Sequence, residues 1–258
     1  MERKRIVLAN PCYGPLDPYV EKSLRVAVMH AAQHHDWIGD VSTIREGWVG
    51  ARNKIARETI HEAKADGVVW VDDDVLLPAD AISRLLTYEK DFVTGIVFQK
   101  AGDYNPLIAK WTKNEDGHYG YAWFSEFPEN ALIKADGCGF GVCYTSTALL
   151  EAVEKRFKDE DWFDQFPPGA FGTSGEIAMS EDFSFCKRAE LAGFQLYADT
   201  GLLCGHNKGP RFVTQEMVRK IKKNQAETIA EREALFRKLE EDEKDGNQGT
   251  TDRGWKLT

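Results

Sequence analysis

The sequence lacks the features of several common protein classes. No apolar run approaches the roughly 18 consecutive residues that a membrane-spanning helix needs. The start, MERKRIVLAN, has neither a long apolar segment nor a small-residue cleavage site. We therefore expect a cytoplasmic protein without an integral membrane segment. The cysteines are odd in number and form no CxxC pair, which predicts reduced thiols rather than a disulfide framework or a zinc site. They are Cys12, Cys138, Cys143, Cys186 and Cys204.

The sequence also has fewer basic than acidic residues. Against 42 acidic residues there are 33 lysines and arginines, a net charge of −9, which argues against a general nucleic-acid coat but leaves room for a local basic patch. A hydrophobic content of 42% with 29% charged residues is typical of a globular protein. The length of 258 residues suits one large α/β domain or a domain with an appendage.

The most informative segment is an apolar run that ends in three carboxylates. Val68–Val71 predicts a strand buried on both faces, typical of a parallel or mixed sheet. Asp72, Asp73 and Asp74 follow at its carboxyl end, where open α/β sheets bind ligands. Strand alternation would send Asp72 and Asp74 to one side, where they can share Mg²⁺ or Mn²⁺ with substrate phosphates. The alternative is an acidic turn that caps a helix starting at Pro78.

Strand and helix patterns alternate through the first hundred residues, as in a Rossmann-like α/β half. The predicted elements are a strand at Arg5–Asn10, a helix from Pro18 to about His34 with Asp17 as N-cap, a strand at Asp40–Ile44, a helix at Gly50–Ala65, the acidic strand, a helix from Pro78 and a strand at Phe92–Phe98.

The second half predicts a β-hairpin, because Leu107–Thr112 and His118–Phe124 flank the turn sequence Asn114–Gly117. A Pro- and Gly-rich loop at Asp159–Ser180 is a candidate lid. The other predicted elements are strands at Ala131–Asp136, Val142–Thr145 and Gln195–Asp199, and helices at Thr147–Phe157 and Val213–Lys244.

Two further features could carry chemistry. Glu181 and Asp182 follow Ser180 at a predicted helix start, where acidic residues also favour the helix dipole without any other role. His206 follows an apolar run and Gly205, which suits either a structural histidine or a neutral imidazole ligand for a metal.

From about Arg5 to His206 the chain resembles the GT-A fold glycosyltransferases, particularly their family 2-like members. The motifs that carry the resemblance are the Pro11 loop after the first strand, Ala51-Arg52-Asn53, Asp72-Asp73-Asp74 as the DxD motif, Gly137–Gly141, Glu181-Asp182 and His206. It implies an α/β fold of the GT-A, Rossmann-like type, with a mixed sheet flanked by helices, a small β-hairpin acceptor region and a C-terminal helix.

The predicted domain boundaries follow from this resemblance. The glycosyltransferase domain spans 1–207, with a donor half at about 1–100 and an acceptor half at about 101–207. A charged helical extension at 208–244 and a disordered tail at 245–258 complete the chain.

The resemblance also implies a role for each site residue. Asp74, with Asp72, and His206 would hold the metal, Mn²⁺ or Mg²⁺, on a nucleotide diphosphate-sugar donor, a UDP-sugar ahead of a GDP-sugar. The expected donor-binding residues are Pro11 and Tyr13 at the base, Arg52 near the nucleotide, Asp72 at the ribose, Gly139 at the sugar and Lys208 at the phosphates. Asp182, paired with Glu181, would be the base of an inverting reaction or would position substrates in a retaining one.

The predicted function is metal-dependent transfer of a hexosyl group to a hydroxyl acceptor. One alternative, a nucleotidyltransferase, needs a basic, Gly-rich phosphate loop that Asn10–Pro15 lacks. Another is an inactive module that binds a nucleotide-sugar. Because similar enzymes occur in bacteriophages, a third alternative is transfer to hydroxymethylated DNA bases. The six lysines and arginines of Lys208–Lys223, against one glutamate, would suit a phosphate backbone, or simply a solvated helix.

Overall fold

The computed structural model of the protein describes residues 3–12, 14–44, 46–209 and 211–246. Tyr13, predicted to line the base pocket, lies outside the described residues, as does most of the predicted tail, residues 247–258. The described chain divides into two compact units, which meet between Thr214 and Gln215. The described residues of the second unit form a single long helix.

The first unit alternates strands and helices along most of its length. Its strands are β1 Arg5–Cys12, β2 Asp36–Ile44, β3 Gly67–Val71, β4 Val75–Leu76, β5 Phe92–Ile96, β6 Ile108–Lys113, β7 Tyr119–Trp123, β8 Leu132–Ala135, β9 Gly137–Cys138, β10 Val142–Ser146, β11 Leu196–Leu203, β12 Gly205–Lys208 and β13 Arg211–Val213. The helices are α1 Pro18–Ala31, α2 Trp48–Glu58, α3 Ala81–Thr87, α4 Thr147–Arg156, α5 Glu181–Leu191 and, in the second unit, α6 Gln215–Gly246. A π-helical turn, Thr59–Ala63, extends α2, and a 3₁₀ turn spans Ala170–Gly172.

The central sheet of the described residues has seven strands in the order β2-β1-β3-β10-β5-β11-β8. Its β1, β2 and β3 are mutually parallel, β10 runs antiparallel to both of its neighbours, and β11 is parallel to β5. With helices packed on both faces, this mixed sheet confirms the predicted α/β fold of the GT-A, Rossmann-like type. The carboxyl ends of β3, β5 and β11 therefore lie at one edge, where such sheets bind ligands.

Strand β3 is buried along its whole length, as its apolar sequence predicts. Val69 and Val71 join a core cluster on the side of α1 and α3. Trp70, which alternation sends to the other face, contacts the rings of Phe140 and Phe163 at centroid distances of 5.7 and 5.4 Å. A strand covered on both faces leaves its carboxyl end as the place where polar side chains can reach solvent.

The sheet strand ends at Val71, as its apolar run predicts. The three aspartates form a turn, in which the backbone N–H of Val75 donates to the carbonyl of Asp72 at 3.3 Å. Strand alternation therefore does not set the directions of Asp72 and Asp74, and that part of the prediction is wrong. Helix α1 begins as predicted, with the side chain of Asp17 accepting from the N–H of Tyr19, whereas α3 begins at Ala81 rather than at Pro78.

Two small sheets flank the central one. The predicted hairpin is present as β6 and β7, which pair antiparallel, and β9 adds to its other side. The second small sheet joins β4, β12 and β13, and it sets His206 of β12 opposite Val75 of β4. None of the helices in the described residues combines the length and the apolar character of a membrane span.

Candidate active site

Polar side chains from distant parts of the chain meet at the carboxyl edge of the sheet. Asp72 and Asp74 follow β3, Lys100 comes four residues after β5, and His206 lies just after β11. The pairing of β4 with β12 brings Nε2 of His206 to 3.3 Å from Oδ1 of Asp74. Two of the three predicted metal ligands are thus neighbours because a short strand pair connects residues more than a hundred positions apart.

The imidazole of His206 is fixed in orientation by the backbone. Its Nδ1 lies 2.7 Å from the carbonyl oxygen of Phe98, which can only accept, so Nδ1 carries a proton and donates it. In a protonated ring, Nε2 then donates to Oδ1 of Asp74, whereas in a neutral ring it presents a lone pair towards that oxygen. Two acceptors that face each other in this way are stabilised by a cation between them, either a proton or a metal ion.

Asp74 has a second cationic partner, because its Oδ2 accepts from Nζ of Lys100. Burial opposes ionisation of Asp74, but the hydrogen bonds from His206 and Lys100 outweigh it, so the pKa of this carboxyl lies below its ordinary value. Asp74 is therefore ionised at neutral pH. Lys100 belongs to none of the sequence motifs, although its place just beyond a predicted sheet strand could have revealed it.

A carboxylate with an adjacent imidazole is a donor set that Mn²⁺ and Mg²⁺ accept, with Mn²⁺ the better match for nitrogen. Within the described residues no group of three or more His, Cys, Asp or Glu side chains is assembled for a metal. Asp72, the third predicted ligand, instead accepts from Nη2 of Arg52 at 3.0 Å. The residues present fit a metal that takes two protein ligands and completes its shell with diphosphate and water oxygens.

Arg52 is the hub of a second cluster. Only 3% of its side chain is exposed, and its Nη1 donates to Oε1 of Glu181 at 2.9 Å and to Oδ1 of Asp182 at 2.7 Å, in addition to the bond with Asp72. It lies on the buried face of α2, 5.4 Å from the ring of Phe140. Its Nε has no hydrogen-bond partner among the described residues. One buried guanidinium thus links the DxD turn to the first turn of α5.

Both aspartates bonded to Arg52 have raised pKa values. Burial raises the pKa of Asp72 to about 7, with Arg52 opposing the shift and the charges of Asp182 and Asp74 adding to it. Burial also raises the pKa of Asp182, against the effect of Arg52. The backbone N–H of Phe140 holds the other oxygen of Asp182, Oδ2, at 3.3 Å. A carboxylate that is oriented by two donors and has a raised pKa is a suitable proton acceptor.

The other predicted donor-site residues occupy nearby positions. Pro11 lies in the last part of β1, where it is buried. Gly139 borders Asp182, since a Cβ at this position would lie 3.8 Å from Oδ2 of that residue. Lys208, two residues after His206, donates from Nζ to the hydroxyl of Tyr104 at 2.6 Å. Their contacts with a nucleotide remain predictions.

A cavity of about 630 Å³ opens beside Asp182 and Gly139. Its walls come from the β6–β7 hairpin, from residues 173–174 and 177–180 of the long Pro- and Gly-rich loop, and from Phe183 at the start of α5. A pocket of this size is of the order of those that hold small-molecule ligands. Asp182 therefore stands between the Arg52 cluster on one side and an open ligand-sized space on the other.

No protein-family model and no curated protein matches the sequence. Among solved structures, "A197 from STIV" is 15% identical with a TM-score of 0.53 and is matched over 83% of this chain and 91% of that one. "GalNAc-T7 with UDP, GalNAc and Mn2+" is 9% identical with a TM-score of 0.48, over 79% of this chain and 44% of that one. "A glycosyltransferase involved in the glycosylation of the major capsid of PBCV-1" is 11% identical with a TM-score of 0.31, over 61% and 68%. At such identities structural likeness concerns the fold, and the chain has a GT-A-like fold.

Proposed function

We propose that this protein is a metal-dependent glycosyltransferase that moves a hexosyl group from a nucleotide diphosphate-sugar to a hydroxyl acceptor. The observation that carries the proposal is the position of Asp182. It borders a ligand-sized cavity on one side and on the other is joined through Arg52 to Asp72, in the turn that also holds Asp74. A carboxylate that borders a ligand-sized space and shares one arginine with the turn that holds a proposed metal ligand supports sugar transfer.

Asp74 and His206 are the proposed metal ligands, and Mn²⁺ or Mg²⁺ held there would neutralise the charge that develops on the leaving diphosphate. Lys100, which already pairs with Asp74, adds a positive charge at the same place. Lys208 lies in the same strand as His206, at the end of β12. We propose UDP-sugars as the first donors to test, with Pro11 and Tyr13 at the base and Asp72 at the ribose.

Asp182 is the proposed base. When an acceptor hydroxyl in the adjacent cavity attacks the anomeric carbon, its proton passes to the carboxylate of Asp182, and the bond from that carbon to the diphosphate breaks. Arg52 and the N–H of Phe140 hold the two oxygens of Asp182 in place. Glu181 shares Nη1 of Arg52 with Asp182 and so helps to position the guanidinium.

The donor half can be tested without knowing the acceptor. Thermal unfolding is followed with UDP, GDP and their sugars, each with Mn²⁺ and with EDTA. A ligand that binds only the native state stabilises it, by about 2.7 kcal/mol at a concentration of 100 times its Kd. We expect a rise in Tm that needs both a nucleotide and the metal. A Tm that no nucleotide changes would refute the proposal.

A second candidate function is a nucleotide-sugar-binding module without turnover. It is favoured by one observation, that Lys100 and Arg52 already neutralise Asp74 and Asp72, the carboxylates that would otherwise recruit a metal. The two candidates differ in donor turnover. Slow release of free sugar from UDP-sugar in the presence of Mn²⁺ identifies the enzyme, whereas metal-independent binding with no release identifies the module.

A further inference from the structure

The cavity beside Asp182 has one wall made of aromatic side chains. We call this set the aromatic wall: Trp111, Tyr119, Tyr121, Trp123 and Phe183. Four of its members come from the hairpin and one comes from α5, directly after Asp182. The base proposed for the reaction and the aromatic wall therefore face the same space.

The hairpin register explains why these rings share a face. Tyr119, Tyr121 and Trp123 alternate along β7, so they point to one side, and Trp111 of β6 is the direct cross-strand partner of Tyr121. Trp111 and Tyr119 lie nearly parallel, with 9° between their planes. Four large aromatic residues thus lie on the face of the hairpin that borders the cavity.

Contacts with neighbouring side chains and with Gly137 fix the positions of the rings in the aromatic wall. Tyr121 and Phe183 stack at a centroid distance of 4.2 Å, and a Cβ at Gly137 would lie 2.7 Å from each of these rings, so only glycine fits there. Nζ of Lys187, whose side chain is 8% exposed, lies 4.3 Å from the centre of the Trp111 ring. These contacts preorganise the rings, which lowers the entropy that a ligand must give up on binding.

The polar part of the cavity is almost uncharged. Among the described residues that line it, none is a lysine or arginine, and Asp182 is the one carboxylate. The other polar lining residues are Asn114, His118, Thr173, Ser174 and Ser180. A phosphate or carboxylate on the acceptor would find no lysine or arginine in this lining, because the ammonium groups of Lys187 and Lys113 contact the rings of Trp111 and Tyr119, and Asp182 would repel it. Hydroxyls, by contrast, find donors and acceptors.

We propose that the acceptor is a neutral carbohydrate whose ring packs on the aromatic wall. The flat C–H face of a sugar ring matches an aromatic surface, and the amphipathic Trp and Tyr rings favour such half-polar ligands. Its hydroxyls bond to side chains such as Asn114 and Ser174, and one hydroxyl faces Asp182. This inference rests on the proposed function, because it takes Asp182 as the base: the acceptor oxygen bonds to the anomeric carbon, its proton goes to Asp182, and the nucleoside diphosphate leaves with the electron pair.

The test measures acceptor binding separately from transfer. Neutral disaccharides (maltose, cellobiose, lactose and chitobiose) are titrated into the protein with UDP and Mn²⁺ present, and tryptophan fluorescence reports binding. Glucose against glucose 6-phosphate provides a pair matched in shape but not in charge, and an eight-residue oligothymidylate provides the nucleic-acid alternative. We expect at least one neutral disaccharide to bind and to change the fluorescence, and glucose to bind more tightly than its phosphate.

Variants locate the binding surface. Tyr119→Ala alters a side chain on a residue that is 43% exposed, so the fold should survive, and Trp111→Ala removes a larger part of the aromatic wall. Both should weaken disaccharide binding at least tenfold while leaving the metal-dependent Tm shift with UDP unchanged. Tyr19→Ala, at a 69% exposed position on α1, is the matched control and should change neither quantity.

The outcomes separate this inference from the proposed function. If nucleotides shift Tm but no disaccharide binds, or if the oligothymidylate binds most tightly with an affinity that falls steeply with salt, the neutral-acceptor inference is overturned and the donor half stands. If disaccharides bind and no nucleotide does, the proposed function fails instead. Disaccharide affinity that is the same in Tyr119→Ala, Trp111→Ala and the unchanged protein would also overturn the inference.

Discussion

Nη1 of Arg52 lies 2.7 Å from Oδ1 of Asp182, in a place where 3% of the arginine side chain is exposed to solvent. The same guanidinium reaches Asp72 through Nη2. One buried cation therefore connects the turn proposed to bind the donor with the proposed base. A change in the charge of one of these carboxylates therefore alters the electrostatic interaction of the shared arginine with the other.

Replacing Arg52 tests how much the fold depends on this cation. Arg52→Leu leaves Asp72, Glu181 and Asp182 close together without their counter-charge. Breaking a buried pair from one side typically costs about 3–5 kcal/mol. We expect the free energy of unfolding, measured by urea denaturation at neutral pH, to fall by roughly that amount. The loss should shrink as pH falls, because the carboxylates left without Arg52 are then protonated.

Two further variants are compared with Arg52→Leu. Arg52→Lys keeps the charge but loses the planar fork, so its loss of stability should be intermediate. Arg25→Leu removes an exposed arginine that pairs with Glu21 one helical turn away, and it should change stability by about 0.5 kcal/mol or less. Equal, small effects of Arg52→Leu and Arg25→Leu would show that the buried cluster does not depend on Arg52.

Asp74→Asn and His206→Gln should abolish metal-dependent nucleotide binding while the fold is retained. Each removes one of the two proposed protein ligands, which leaves Mn²⁺ with a single protein ligand beside substrate oxygens. Electron paramagnetic resonance counts free Mn²⁺ in a titration with UDP present. Asp116→Asn, in the exposed hairpin turn, is the control. Mn²⁺ titrations that match the unchanged protein would remove Asp74 and His206 from the metal site.

Lys100→Met should strengthen the binding of Mn²⁺ alone. The ammonium of Lys100 competes with a metal ion for Oδ2 of Asp74. Because 41% of the lysine side chain is exposed, the gain should be modest, about 1 kcal/mol or less, or roughly fivefold in Kd. Calorimetric titration with MnCl₂ in the absence of nucleotide measures it. An unchanged or weaker affinity would mean that Lys100 does not compete with the metal.

Asp182→Asn should keep donor affinity and lose transfer. The amide retains the size of the side chain but cannot accept the proton, so turnover should fall by about 10²–10⁴. Because burial raises the pKa of Asp182, the acid limb of the pH–rate profile of the unchanged protein should lie above the ordinary range of an aspartate. Full transfer activity in Asp182→Asn would exclude this residue as the base.

His35 makes the stability of the fold depend on pH away from the site. It is 3% exposed, and its Nδ1 accepts from the N–H of Lys4 at 3.4 Å. Burial, together with the nearby positive charges of Lys4, His34 and Arg3, lowers the pKa of His35 below 6.5. Below pH 6.5 the unfolded chain therefore binds a proton that the folded chain resists, so stability falls as pH falls.

Urea denaturation at pH 5, 6, 7 and 8 checks this expectation. His35→Gln should flatten the fall in unfolding free energy between pH 7 and pH 5, because the substituted side chain no longer titrates. His34→Gln, at the exposed neighbouring position, should keep the slope of the unchanged protein. Parallel pH profiles for the unchanged protein and His35→Gln would assign the acid sensitivity to other groups.

The sequence predicts the fold well wherever the signal is local. The apolar run before Asp72 identifies β3, the Asn114–Gly117 turn identifies the hairpin, and Asp17 with Pro18 marks the start of α1, because each depends on residues adjacent in the chain. The antiparallel insertion of β10 between β3 and β5 is a long-range pairing, and no local pattern encodes it.

The candidate site likewise combines features that local sequence reveals with features that depend on long-range contacts. The acidic residues, His206 and Arg52 are predicted from the sequence, whereas Lys100 is not, and the ion pairs of Arg52 and Lys100 with the carboxylates become recognisable only when the sheet brings them together. A charge argument could have pointed to them: three carboxylates predicted in a buried region need positive partners from the same region. The aromatic wall likewise depends on the hairpin register, which alternation predicts only after the pairing is known.

The pairing of β4 with β12 has a consequence for synthesis of the chain. Val75 and His206 must meet before the cation-binding pair exists, yet they are separated by most of the first unit. A ribosome that adds about 5–20 residues per second needs roughly 6–26 s to pass from one to the other. During that interval the nascent chain carries the DxD turn without the histidine, so the metal site proposed for Asp74 and His206 can form only after β12 has left the exit tunnel.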